Sequence, residues 1–152
     1  MGRLTPFLTG RIVAFDSAPL IYYIEAHPVY LTLADELFDS IDQGQTRGLT
    51  SVLTLLEVLV KPMRDGRIDL ADAYRRLLTN STNLQLHALD TGISERAARL
   101  RAQHNWLRTP DAIQIATALE RGAEVLVTND SRWKQFGEIE ILLLKDYLTP
   151  TP

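Results

Sequence analysis

The sequence contains no cysteine and only three histidines among its 152 residues. Without cysteine the chain can form neither disulfide bonds nor thiolate metal sites, and it can fold in a reducing compartment. The histidines, His27, His87 and His104, lie in unrelated contexts without the spacing of metal ligands, so we interpret them as surface or structural residues. Any metal bound by this chain is therefore expected to be held by oxygen atoms.

Long apolar runs and excess positive charge are also missing. No run is long enough to span a membrane, and the first ten residues lack the apolar core of a signal peptide. The net charge of -3 argues against a broadly basic surface for nucleic acid, although a metal bound at an acidic pocket reverses the local sign. Glycine-rich phosphate-binding motifs are absent, which disfavours ATP and dinucleotide cofactors. We expect a cytoplasmic protein.

Short apolar strands and longer helices alternate along the chain. Strands are predicted over residues 11–16, 46–50, 84–89, 125–127 and 139–144, with helices between them that begin near Ser17, Pro28, Ser51, Ile68, Ile93 and Thr109. This alternation is typical of a parallel α/β sheet, and the length suits one compact domain. We predict a single domain over residues 11–148, an N-terminal tail over residues 1–10 and a loose C-terminal tail over residues 149–152.

Four acidic residues occupy the most informative positions. Asp16 follows the first predicted strand, and Glu57 is the only charged residue between positions 50 and 60. Asp111 follows Pro110 in the first turn of a predicted helix, and Asp130 follows the fourth strand. Each acid except Glu57 has a simpler interpretation as a helix cap, a first-turn carboxylate or a turn residue.

The four acids considered together indicate a metal site. Three of them lie where a strand ends or a helix begins, and in a parallel sheet these places meet at one edge. Two carboxylates about 4 Å apart repel by about 4 kcal/mol at an effective dielectric constant of about 20, so a cluster of four needs a cation. Oxygen ligands suit Mg²⁺ or Mn²⁺, which also bridge to phosphates. Phosphodiester hydrolysis is the natural chemistry of such a site.

In these segments the chain resembles the PIN-domain ribonucleases, in particular the VapC-like toxins of prokaryotic toxin–antitoxin pairs and related single-domain proteins. The matching motifs, in order, are FDSAPLIYYIE, SVLTLLEVLVKP, TPDAIQIATAL and VTNDSRW, and the resemblance spans about residues 12–144. One departure is Trp133, where relatives often have phenylalanine. Another is that no obvious additional acid of the site follows Asp130, which leaves the number of metal ions open.

The resemblance implies a three-layer α/β/α fold around a mainly parallel sheet. It also implies that Asp16, Glu57, Asp111 and Asp130 hold one or two Mg²⁺ or Mn²⁺ ions. The implied reaction is endonucleolytic hydrolysis of RNA by a metal-activated water, without a covalent intermediate. Thr128 matches a hydroxyl residue of the family that orients a carboxylate or a water, although a β-branched residue also suits a strand.

Relatives of this kind commonly form homodimers and are inhibited by a small antitoxin that lays a helix in an apolar groove. Apolar and aromatic residues of the first two long helices could form either contact or belong to the core: Leu20, Tyr22, Tyr23, Tyr30 and Leu33. Residues before Asp111 could contact RNA, or belong to a solvated helix face and to the core: Arg96, Arg99, Arg101, Trp106 and Arg108.

Two other functions stay open at this point. The chain could be a catalytically silent PIN-like domain that acts through protein contacts, although it retains all four acids. It could also be an acidic α/β phosphohydrolase or phosphoacceptor domain in which Asp16 is the nucleophile. The sequence lacks the D-x-D motif of one such class, because Ser17 and Ala18 follow Asp16.

Overall fold

The computed structural model describes residues 2–149 and contains a central sheet of five strands. These are β1 (Ile12–Phe15), β2 (Arg47–Ser51), β3 (Leu84–His87), β4 (Val125–Thr128) and β5 (Glu140–Leu143). Their order across the sheet is β3-β2-β1-β4-β5, and every neighbouring pair is parallel.

Helices cover both faces of this sheet. They are α1 (Thr5–Leu8), α2 (Ser17–Ile24), α3 (Leu31–Asp42), α4 (Val52–Arg64), α5 (Ile68–Asn80), α6 (Thr91–Gln103) and α7 (Thr109–Glu120). Two short 3₁₀ helices, Ser131–Gln135 and Leu144–Tyr147, follow β4 and β5. The predicted three-layer α/β/α fold with a parallel sheet is therefore confirmed.

The central strands are apolar on both faces because helices cover both. In β1, Val13 and Phe15 face the layer formed by α1 to α5, whereas Ala14 faces α6 and α7. Strand β4 repeats the alternation, with Val125 and Val127 in the first core and Leu126 in the second. This period of two explains why the sequence shows short continuous apolar runs rather than alternating polar residues.

The order of the strands creates a crevice between β1 and β4. From β1 the chain proceeds to β2 and β3 on one side of the sheet, and then returns to β4 and β5 on the other. In open α/β sheets, ligands bind at the carboxyl ends of the strands where this reversal occurs. Asp16 directly follows β1 and Thr128 ends β4, so both residues lie at that point.

Local signals account for most helix ends. The Ser51 hydroxyl accepts a hydrogen bond of 3.1 Å from the backbone N–H of Leu53 and caps α4, as predicted. Gly44 follows α3 with a φ of 75°, a conformation that glycine adopts without strain. One prediction is corrected: α3 begins at Leu31 rather than near Pro28. Helix α4 contains Pro62 and ends at Arg64.

The segment expected to form an N-terminal tail contributes to the core. Leu4 and Leu8 are both 0% exposed. The Glu36 carboxylate accepts hydrogen bonds from the backbone N–H groups of Leu4 (2.9 Å) and Thr5 (3.2 Å), which ties the start of α1 to α3. Packing therefore begins before residue 11. In the predicted C-terminal tail, residues 150–152 lie outside the described residues.

Within residues 2–149, none of the helices combines the length and the apolar character needed to cross a lipid bilayer.

The burial of α1 predicts that Leu8→Ala lowers the free energy of unfolding by about 2–5 kcal/mol, because the substitution removes buried methyl groups and leaves a cavity. Urea unfolding followed by circular dichroism measures this change. Leu89→Ala is the matched control, since Leu89 is 47% exposed and should cost less than about 1 kcal/mol. Equal effects of the two substitutions would contradict the assignment of α1 to the core.

Candidate metal centre

Asp16 occupies the crevice between β1 and β4. The Thr128 hydroxyl donates a hydrogen bond of 2.7 Å to Oδ2 of Asp16, which joins the carboxyl ends of the two strands. Oδ1 of Asp16 is buried and has no hydrogen-bond partner among the described residues. A buried carboxylate oxygen without a donor is costly unless a cation or a proton compensates it.

The electrostatic surroundings of Asp16 reflect this cost. Burial, together with the negative charges of Glu57 and Asp111, raises the pKa of Asp16 from 3.8 to about 7, whereas the Thr128 hydrogen bond and the nearby Ala18 backbone N–H act in the opposite direction. Asp16 thus behaves as a carboxyl group that lacks the positive charge its position requires. A residue that only filled a strand position would not need this hydroxyl, whereas Thr128 uses it to hydrogen-bond Asp16.

Glu57 lies on α4 and is held by two neutral side chains. Its Oε1 accepts hydrogen bonds from the Ser17 hydroxyl (2.7 Å) and from the Gln114 amide (3.3 Å). Ser17 is the first residue of α2 and Gln114 lies on α7, so three helices meet at this carboxylate. Neither donor carries charge, and Glu57 remains available to a cation.

Gln114 belongs to a buried chain of hydrogen bonds that reaches the sheet. Its amide also donates to Thr54 at 2.9 Å, and the hydroxyls of Thr54 and Thr50 are 2.8 Å apart. Thr50 in turn donates to the carbonyl oxygen of Phe15 at 2.6 Å. The chain connects α7, α4 and β2 to the end of β1, immediately before Asp16.

Asp111 and Asp130 have opposite electrostatic environments. The pKa of Asp111, in the first turn of α7, is raised by burial and by the negative charges of Asp130 and Glu57. The pKa of Asp130 is lowered, because its carboxylate accepts hydrogen bonds from the Arg132 guanidinium. Nε of Arg132 lies 3.0 Å from Oδ1 of Asp130, and Nη2 lies 2.6 Å from Oδ2.

The four predicted acids therefore share one region of the molecule. Asp16 is influenced by the charges of Glu57 and Asp111, and Asp111 by those of Glu57 and Asp130. They surround the crevice without closing on a point: within residues 2–149, no group of three or more histidine, aspartate or glutamate side chains stands close enough to enclose a metal ion. The donor set, the unpaired Oδ1 of Asp16 and the raised pKa values fit a divalent cation bound by oxygen.

Three residues at the site were not identified as site residues by sequence analysis. Ser17 was interpreted as a helix cap, but its hydroxyl hydrogen-bonds to Glu57. Gln114 is a polar residue in an otherwise apolar stretch of α7, a pattern that could have drawn attention to it. Arg132 lies two residues after Asp130, a spacing that carries no signal unless the turn geometry is known.

The helix residues expected to form a partner surface are largely part of the core. Leu20 is 0% and Leu33 is 2% exposed, and Tyr22, Tyr23 and Tyr30 are partly buried against the same cluster. Of the arginines before Asp111, Arg96 forms ion pairs with Glu120 and Glu138.

Comparison with known proteins identifies the class of fold and site. The family model of the PIN domain matches residues 13–139, and the chain therefore belongs to the PIN domain family. No significant match to a curated protein sequence was found.

Solved structures with a similar fold include VapC toxins. VapBC2 from Rickettsia felis, bound to a promoter DNA fragment, has a TM-score of 0.67 at 15% identity over 87% of this chain and 98% of that chain. A toxin–antitoxin complex from Klebsiella pneumoniae has a TM-score of 0.66 at 21% identity, covering 87% and 97%. VapC20 from Mycobacterium tuberculosis, a toxin that cleaves the sarcin–ricin loop, has a TM-score of 0.67 at 18% identity, covering 84% and 98%.

The raised pKa of Asp16 predicts a specific pH dependence of stability in metal-free buffer. Between the unfolded value of 3.8 and the folded value of about 7, the folded state binds more protons than the unfolded state. The contribution of Asp16 to the free energy of unfolding is therefore complete below about pH 4 and is lost as the pH rises through 7. Asp16→Asn removes this titration, so the variant should gain about 1–4 kcal/mol relative to wild type between pH 4.5 and pH 8.

Urea unfolding in EDTA at the two pH values measures this difference. Asp65→Asn, at an exposed position after α4, controls for the loss of one carboxylate. Stability curves that run parallel for wild type and Asp16→Asn would contradict the raised pKa.

Proposed function

We propose that this protein is a metal-dependent endoribonuclease that hydrolyses phosphodiester bonds of RNA and serves as the toxin of a toxin–antitoxin pair. The observation that carries the proposal is the buried, unpaired Oδ1 of Asp16 at the crevice between β1 and β4, with Glu57, Asp111 and Asp130 around it. Membership of the PIN domain family and the VapC fold of its structural neighbours support it. A role of this kind implies action in the cytoplasm.

The cofactor that suits the site is Mg²⁺ or Mn²⁺. Asp16, Glu57, Asp111 and Asp130 would hold it, and four carboxylates suffice for one ion or two. When bound, such an ion activates a water for in-line attack on phosphorus and stabilises the charge that develops on the phosphate. The cation also offsets the burial and the mutual repulsion that together raise the pKa of Asp16 and Asp111.

The neutral neighbours of the acids prepare the site for this chemistry. Thr128 keeps Oδ2 of Asp16 engaged, so that only Oδ1 is left without a hydrogen bond. Ser17 and Gln114 fix the direction of the Glu57 carboxylate without neutralising it. Because these donors are already in place, little reorganisation is required when charge develops on the substrate.

RNA is the substrate class that the family and the site favour. VapC20, which shares the fold, cleaves the sarcin–ricin loop. The site is an open crevice at the sheet edge rather than an enclosed cavity, which suits a looped or single-stranded segment of a large nucleic acid. The protein's acidic net charge means that local positive charge must come from the metal and from arginines near the crevice.

The proposal predicts the products and the dependence of cleavage. RNA cleavage should require Mg²⁺ or Mn²⁺, stop in EDTA and leave a 5′-phosphate on the downstream fragment, because an activated water rather than a 2′-hydroxyl attacks. Amide substitution of Asp16, Glu57, Asp111 or Asp130 should each reduce cleavage at least about 100-fold. Thr128→Val should give a smaller loss, since Thr128 positions Asp16 only through its hydrogen bond.

End mapping of cleaved total cellular RNA measures these outcomes. His87→Ala is the control and should change the cleavage rate less than about threefold, because within residues 2–149 His87 contacts none of the four acids. A 2′,3′-cyclic phosphate end or full activity in EDTA would contradict the mechanism. A folded protein without any cleavage would instead favour a silent interaction domain.

We propose that the contact surface for a partner lies on α4 rather than on α2 and α3. Val52, Leu56 and Val60 recur at intervals of four residues and are 38%, 60% and 45% exposed, and Met63 extends the stripe at 57%. These four residues form what we call the α4 stripe. A homodimer formed through the α4 stripe would bury it, and an antitoxin helix would compete for the same face. Glu57 follows Leu56 directly, so an occupant would lie beside the acidic crevice.

Homodimerisation through the α4 stripe predicts that Leu56→Glu converts a dimer to a monomer. Dimerisation would transfer the introduced carboxylate from water into the centre of an apolar interface, which costs free energy. The dissociation constant of the dimer should therefore rise at least about 100-fold in Leu56→Glu. Light scattering over a range of protein concentrations measures the mass. Leu89→Glu, at a 47% exposed position outside the stripe, is the matched control. A dimer that survives Leu56→Glu would exclude this surface.

A further inference from the structure

Arg132 has an unusual position among the charged residues of the site. Within residues 2–149, it is the only cationic side chain that forms an ion pair with one of the four acids. The guanidinium binds both oxygens of Asp130, and the Arg132 backbone N–H donates to Oδ1 at 3.0 Å. Three of the roughly four positions at which a carboxylate accepts hydrogen bonds are thus occupied.

The guanidinium is held from a second side by an aromatic ring. The Cζ atom of Arg132 lies 5.2 Å from the centre of the Trp106 ring, a distance at which a cation is attracted to the ring face. Trp106 is itself supported by Phe136 and His104, with ring centres 6.0 Å away in both cases. The ring restrains Arg132 and reduces the entropy lost when it pairs with Asp130.

The ion pair between Arg132 and Asp130 is one reason why the four acids do not enclose an ion. Asp130 is directed at Arg132, whereas within residues 2–149 neither Asp16 nor Asp111 forms an ion pair. A divalent ion that used Asp130 would meet the guanidinium at the same carboxylate. Two cations at one carboxylate repel each other, so binding of one weakens binding of the other.

We propose that Arg132 is the resident cation of Asp130, which competes with the divalent metal for that carboxylate and thereby sets the metal affinity of the site. The proposal rests on the metal-dependent function proposed above. The Arg132 side chain is 54% exposed, so the guanidinium can leave Asp130 for water at only the small free-energy cost of breaking an exposed ion pair. Loss of the pair should therefore make metal binding tighter.

Isothermal titration of the RNA-free protein with Mn²⁺ tests this competition without relying on activity. Arg132→Gln should lower the Mn²⁺ dissociation constant about fivefold, which corresponds to the free energy of about 1 kcal/mol of an exposed ion pair. Arg132→Lys keeps the charge but not the two-pronged hydrogen bonding, and should lower it about twofold. Arg108→Gln removes a positive charge near Asp111 that lacks a hydrogen bond to any of the four acids, and should change the constant less than twofold.

The outcomes separate the competition from the proposed function. The competition would be overturned, and the metal-dependent function left intact, by the following result. Wild type binds Mn²⁺, Asp16→Asn does not, and Arg132→Gln binds Mn²⁺ no more tightly than Arg108→Gln does. Weaker binding in Arg132→Gln would overturn it as well. If neither wild type nor any arginine variant bound Mn²⁺, both proposals would fail. Binding that appears only in Arg132→Gln would support the competition.

Discussion

The gathering of four carboxylates at one edge of the sheet is the constraint around which this structure is organised. The strand order brings the ends of β1 and β4 together. Asp16 is buried there, and other negative charges lie near it. Neighbouring side chains stabilise three of these carboxylates through hydrogen bonds or an ion pair. A hydroxyl holds Asp16, two neutral donors hold Glu57, and a guanidinium neutralises Asp130. The fold stabilises the cluster only in part, and a cation completes the compensation in the function we propose.

The same arrangement explains how a small domain can keep a charged site without weakening its core. The apolar residues of β1 and β4 alternate between two cores, so both faces of the strands are occupied and the polar groups are confined to their ends. The helices that carry Glu57 and Asp111 start or pass at that edge, and each packs buried residues against the sheet, such as Val58 of α4 and Ile115 of α7. Chemistry and packing are thus separated along the strand direction, as is general for open parallel sheets.

The comparison of sequence and structure shows which features local patterns can reveal. The strands, the parallel sheet and the four acids follow from apolar periodicity and from the positions of Asp16, Asp111 and Asp130 at element boundaries, which are local properties. Pairing across the molecule is different. The hydrogen bond from Ser17 to Glu57 joins residues 40 positions apart, and that from Gln114 to Glu57 joins residues 57 apart, so neither leaves a trace in either segment alone.

The burial of α1 was missed for a related reason. Four helical residues are too few to show a periodic pattern, and Leu4 and Leu8 are assigned to the core only by α3 and the sheet. The arginine at position 132 was overlooked because its role depends on the turn that follows β4, where the Asp130 side chain caps a 3₁₀ helix. Aspartate favours such turns, but the Arg132 side chain is placed by its contact with Trp106, which is distant in the sequence.

The buried chain of hydrogen bonds from Gln114 through Thr54 and Thr50 to the Phe15 carbonyl has a consequence for how this protein can change over generations. Replacing any one of the three side chains by an apolar residue leaves its neighbour buried with an unsatisfied polar atom, which costs about 1–3 kcal/mol. A concerted replacement of all three avoids that penalty. Among homologues, positions 50, 54 and 114 should therefore covary, although they lie on three separate elements, β2, α4 and α7.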